Sequence, residues 1–167
     1  MELKDSGSRR EFDSGAVRDI QTGKGRCDLL PLCVISKKMR DATLCHIGRF
    51  VETGSTAYLF DAVDDFLRLP PDPCKEGDEE RKEGWADAML DVSLHYEAGA
   101  EKYDERNWEK GIPVHCFIDS GVRHYLKHLR GDTDEPHGRA FVWNMLGAVW
   151  TCEHHPELID IPGAGNA

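Results

Sequence analysis

The chain has 167 residues, enough for one domain with a real core and too few for two ordinary ones. Its 31 acidic against 21 basic side chains leave a formal charge of -10, which excludes the broad basic face that a nucleic-acid polymer requires. Six scattered cysteines without a C-x-x-C pair, no secretory leader pattern and no apolar run near eighteen residues together predict a reduced, cytoplasmic protein with no membrane partner.

Residues 1–28 are polar and rich in Gly, Ser and Arg, and read as an extended lead-in that ends in the basic loop "GKGR". From Leu29 to Val51, apolar residues at mixed spacings of three and four predict one helix, with Pro31 in its first turn and a break near Asp41. "STAYLFDAVDDFLRL" predicts a second helix, capped by Ser55 or Thr56 and stopped at Pro70-Pro71. Residues 70–84, dense in proline, glycine and charge, read as a solvated connection.

A longer helix is expected over about 85–103, with Trp85, Met89, Val92, Tyr96 and Tyr103 on one side. Phe117, Val122, Tyr125 and Leu129 predict another over 113–130. Ala140, Trp143, Leu146, Gly147 and Trp150 predict the last over 136–153. Strand-like alternation is almost absent, so the expected fold is an all-α helical bundle: a single domain over 29–157 and a flexible tail over 158–167.

Chemistry-bearing residues concentrate between 95 and 144. Glu97, Glu101 and Asp104 fall on one helical stripe, which reads equally as a solvated acidic face or as one wall of a cation site. Asp134 and His137, flanked by Asp132 and Glu135, stand three apart at a helix start. Capping would explain Asp134 but leave His137 idle, whereas carboxylates on one helix facing an Asp/His pair on another make an internal divalent-metal site. His124 lies beside Arg123, and an arginine fork suits phosphate. His128 reads as a packed or surface group. Lys24 and Arg26 of "GKGR", and Arg106, Asn107, Trp108 and Lys110 of "RNWEKG", are local cations, an amide and an aromatic ring that suit a triphosphate and a base. Trp108 reads equally as a core residue, and neither segment has the P-loop spacing.

"GKGRCDLLP", "GAEKYDERNWEKGIP" and "DSGVRHYLKHLRGDTDEPHGRAFVWN" resemble, in order, the motifs of the phage and bacterial dATP/dGTP diphosphohydrolase family, a MazZ-like branch of the all-α MazG-type NTP pyrophosphohydrolases. The resemblance runs from about Phe12 to Glu157. It implies hydrolysis of a purine deoxynucleoside triphosphate, dGTP or dATP, to the monophosphate and pyrophosphate with Mg2+ or Mn2+. It also implies assembly into dimers or tetramers, and for a phage-encoded chain a place in the host cytoplasm, supplying dGMP to 2-aminoadenine nucleotide synthesis.

The superfamily's metal ligands are typically an E-x-x-E and an E-x-x-D pair, and this chain departs from both. The metal set implied is Glu97, Glu101, Asp134 and His137. Lys24, Arg26, Lys102, Lys110 and Arg123 are expected on the phosphates, Asn107 and Trp108 on the base, and Glu97, Asp119 or His124 in proton transfer or water orientation. Two rival readings are a triphosphohydrolase, which lacks its hallmark adjacent His-Asp pair here, and a helical interaction module without catalysis. Zinc on Cys116 or Cys152 is a further option.

Overall fold

The computed structural model describes residues 8–21, 23–68 and 78–163. Two short strands, β1 (Arg9–Glu11) and β2 (Val17–Asp19), pair antiparallel with Arg10 opposite Arg18. Among the described residues six α-helices follow: α1 (Leu32–Met39), α2 (Ala42–Thr53), α3 (Ala57–Arg68), α4 (Asp78–Tyr103), α5 (Val114–Arg130) and α6 (His137–His154). The architecture is the all-α bundle the patterning implied, with the small hairpin added at its start. Among the described residues no helix is long and apolar enough to cross a membrane.

The expected break near Asp41 has a clear cause. Arg40 adopts the left-handed conformation that ends α1, and the Asp41 carboxylate accepts from the Leu44 N–H at 2.8 Å to start α2. The second Asp41 oxygen accepts from the Tyr125 hydroxyl at 2.8 Å, which ties this corner to α5. The connection expected over 70–84 is shorter than predicted, because α4 already begins at Asp78. The predicted stop at Pro70-Pro71 lies outside the described residues, as does any role of the Trp85 side chain.

The core is built around α5 and α6, joined by α2, α3 and one face of α4. Phe50, Phe117, Tyr125, Phe141 and Met145 are all buried there. Leu129, expected inside, sits in the last turn of α5 and is exposed. Trp108, Trp143 and Trp150 are partly buried, and Trp108 meets Trp150 edge-on at 5.1 Å and Tyr96 at 5.5 Å.

Helices α5 and α6 approach closely at Gly147, where a Cβ would lie 2.4 Å from the Phe117 ring. Gly147→Ala is therefore expected to cost about 2 kcal/mol by overpacking, read as a lower urea midpoint with an unchanged slope.

Candidate active site and metal centre

Strand β2 and the loop after it, the C-terminal half of α4, the 3-10 turn at Asn107–Lys110, α5 and the start of α6 enclose a cleft of ≈ 1050 Å³. Three groups of residues line it, each placed by different elements.

The first is a histidine–carboxylate cluster. His137 opens α6 behind Pro136 and is buried, while Asp134 and Glu135 come from the loop before it. His137 Nε2 lies 2.8 Å from Asp134 Oδ1, and His137 Nδ1 lies 3.0 Å from Nδ1 of His124 on α5. Glu135 Oε1 is 3.6 Å from both rings. One ligand atom from each of His124, Glu135 and His137 falls within a 4.8 Å span, and the same holds for Asp132, Asp134 and His137. Burial first, then the neighbouring His137, pushes His124 down to about 3, so its ring is neutral at pH 7 and carries a free lone pair. Capping does not explain Asp134, because no side chain caps α6 and the carboxylate instead meets His137.

This donor set fits a divalent cation. It mixes imidazole nitrogen with carboxylate oxygen around a buried centre, which suits Mn2+ better than an all-oxygen Mg2+ shell.

The second group is cationic. Lys102 donates to Asp19 at 2.9 Å, beside the Tyr103 hydroxyl donating to the same carboxylate at 2.9 Å. Arg123 donates to Asp119 and also to the backbone carbonyl of Lys24 at 3.1 Å. Asp119 is buried and accepts further from Gln21 Nε2 and the Cys27 N–H, each at 2.5 Å. Its carboxylate thus latches the segment before α1 onto α5.

The third group forms the floor. Arg18 donates to Asn144 Oδ1 at 2.8 Å, and its guanidinium lies 5.1 Å from the Phe117 ring centre and 5.6 Å from that of Trp143. Arg18 Nη1 and His95 Nδ1 are buried without a hydrogen-bond partner. Both residues line the cleft, so a polar ligand there could pair with them.

Burial and the nearby Arg139 and Arg18 charges push His95 down to about 4. The unfolded chain, with histidine near 6.5, then binds the proton that the native state refuses. Stability is complete above pH 6.5 and lost as pH falls towards 4, by roughly 3 kcal/mol for this group. Chemical denaturation at pH 7 and pH 5 is expected to show about 2 kcal/mol of this loss, and His95→Gln to reduce the difference.

The residues expected at the site distribute unevenly. Glu97, Lys24, Lys102, Trp108, Asp119, Arg123, His124 and Asp134 line the cleft, and His137 stands behind Asp134. Glu101, Arg26 and Lys110 do not line it. Arg26 pairs with Asp28 at 2.5 Å, and Lys110 with Asp104 at 3.5 Å. Glu97 and Glu101 belong to neither ligand group. Asn107 engages both ends of its amide with the Val17 backbone, at 2.8 and 2.9 Å, and so clamps β2 in place.

Among the described residues no cysteine joins a possible metal group. His128 packs its ring against Phe66 at 5.2 Å. Sequence reasoning missed Arg18 and His95, and gave Glu135 only a flanking place.

The candidate site is thus a cleft between helices, with a histidine–carboxylate cluster along one side and carboxylate-oriented cations along another. Residues 85–161 match the family model described as dATP/dGTP diphosphohydrolase, N-terminal. The matched segment includes most of α4, all of α5 and α6, and the whole histidine–carboxylate cluster. No curated protein and no solved structure matches the chain.

Proposed function

We propose that the protein hydrolyses a purine deoxynucleoside triphosphate between its α and β phosphates, releasing the monophosphate and pyrophosphate, with Mn2+ or Mg2+. The observation that carries this reading is the His124–Glu135–His137 cluster, with Asp132 and Asp134, opening into the same cleft as Lys24, Lys102 and Arg123. Either the His124–Glu135–His137 group or the Asp132–Asp134–His137 group would hold the cation, which supplies Lewis acidity towards phosphate oxygens when bound.

The chain's own groups do the rest. Lys102 and Arg123 are pre-aimed by Asp19 and Asp119, so neutralising a polyphosphate needs little reorganisation. Glu97, exposed on the facing wall, is placed to orient a water and accept its proton.

The floor suits the base. Trp143 offers a ring for stacking, and Arg18 is a pure donor, matched to the O6 and N7 acceptors of guanine and opposed to the 6-amino group of adenine. This favours dGTP over dATP. Asn107 and Trp108 then act behind the base, holding β2 and the aromatic packing. A self-associated form remains part of this reading, with Phe60, 50 % exposed, as an apolar contact.

The test is incubation with each deoxynucleoside triphosphate and Mn2+ or Mg2+, with products resolved by ion-exchange chromatography and Glu97→Gln as control. Purine monophosphate plus pyrophosphate, with dGTP consumed fastest, is the expected result. Release of intact triphosphate would replace this reaction with a triphosphohydrolase. No turnover under any condition would leave a non-catalytic helical module.

A further inference from the structure

Cys116 stands in the first turn of α5 and lines the cleft, with 7 % of its surface exposed. Its Sγ is 3.2 Å from Nε2 of the adjacent His115. The other ring nitrogen of His115 contacts the carboxylate of Asp160, which reaches back from the segment after α6. The second Asp160 oxygen accepts from the His115 backbone N–H at 2.9 Å, so the carboxylate is fixed at two points. Sulfur, imidazole and carboxylate therefore form an uninterrupted relay.

The hydrogen bond to Asp160, reinforced by that to Cys116, pushes His115 up to about 10, so the ring is cationic at neutral pH. Its Nε2–H then points a positive donor at the sulfur. The other charges acting on this pair are Arg18 from β2 and Arg26 and Asp28 from the segment before α1. A helix N-terminus and neighbouring cations are the surroundings that make a thiol nucleophilic. Burial raises the thiols of Cys27, Cys33 and Cys152, the last to about 11. They serve as internal controls.

We propose that Cys116 is a nucleophilic modification site, oriented by His115 and Asp160, that reacts with small soft electrophiles entering the cleft, hydroperoxides being the reacting class. The Cys116 sulfur attacks one peroxide oxygen as its own proton passes to His115 Nε2 in exchange for the one that ring donates, and the O–O bond breaks. Sulfur is oxidised to a sulfenic acid, and the departing oxygen leaves as hydroxide or alkoxide. That anion takes the Nε2 proton of His115 and is released as water or alcohol. The buried position of the sulfur restricts the reaction to small reagents.

The test reads the adduct and not turnover, so it stands apart from whatever the cleft hydrolyses. The full chain, Asp160→Asn and His115→Gln are each treated with iodoacetamide at pH 7, and every cysteine peptide is followed by mass spectrometry. Cys116 is expected to label at least about tenfold faster than Cys27, Cys33 or Cys152, and to slow about tenfold in Asp160→Asn. Brief hydrogen peroxide treatment is expected to add one oxygen at Cys116 first, reversibly by dithiothreitol. Labelling of Cys116 no faster than Cys152, or unchanged in a folded Asp160→Asn, overturns the proposal. Should Asp160→Asn fail to fold by circular dichroism, His115→Gln is read on the same criterion.

Discussion

His137→Ala is expected to lower purine deoxynucleoside triphosphate turnover by about a thousandfold, close to 4 kcal/mol of transition-state stabilisation. His137 is the one residue common to both possible ligand groups, and it also joins Asp134 to His124. Its loss removes a donor and leaves two further donors without their orienting contact. Second-sphere losses alone typically cost ten- to a hundredfold in metal affinity, so removal of a ligand and its network should exceed that.

Calorimetric titration with Mn2+ is expected to show binding weakened by more than about a hundredfold, in step with the turnover loss. Glu101→Gln supplies the contrast, because Glu101 does not line the cleft. A twofold change or less there would separate the observed cluster from the carboxylate stripe suggested by resemblance. Full Mn2+ affinity in His137→Ala would remove the cluster from consideration as the metal centre.

Asp119→Ala is expected to cost about 3 to 5 kcal/mol of stability, the range for breaking a buried ion pair from one side. Arg123, Gln21 and the Cys27 N–H all donate to this one carboxylate. For a chain of this size the melting temperature should fall by about 10 °C, measured by circular dichroism at 222 nm. Asp119→Asn is expected to recover part of the loss, since an amide oxygen still accepts one bond. A melting temperature within 2 °C of the parent, a change of about 0.5 kcal/mol, would show that the latch contributes little.

The bundle was legible where helical periodicity was strong. Phe117, Val122 and Tyr125 mark the buried side of α5, and Asp41 marks the start of α2, because both signals are local. The β1–β2 hairpin left no such trace. Each strand has three residues and no alternation, and the Asn107 amide holds β2 from ninety positions away. The early start of α4 was masked by the composition of 70–84, whose acidic residues serve a helix as readily as a loop.

At the site, Asp134 and His137 were readable from a spacing of three at a helix start. Arg18 was not, since a single arginine in a polar lead-in looks solvated until Phe117 and Trp143 enclose it. The His115–Asp160 contact likewise joins residues forty-five apart, beyond any local pattern.

The latch at Asp119 has a consequence for the order in which this molecule assembles and opens. Gln21 and Cys27 reach α5 across separations of 98 and 92 residues, so their closure carries a large loop entropy. The hairpin and its following loop should therefore dock after α5 and α6 have paired, and release before them. In native-state hydrogen exchange, the amides of β2 and of Cys27 should exchange through a shared partial opening well below the global unfolding free energy, while those of central α5 report the global value. The wall carrying Arg18, Asp19 and Lys24 is then the part of the cleft that breathes, and the histidine cluster the part that stays.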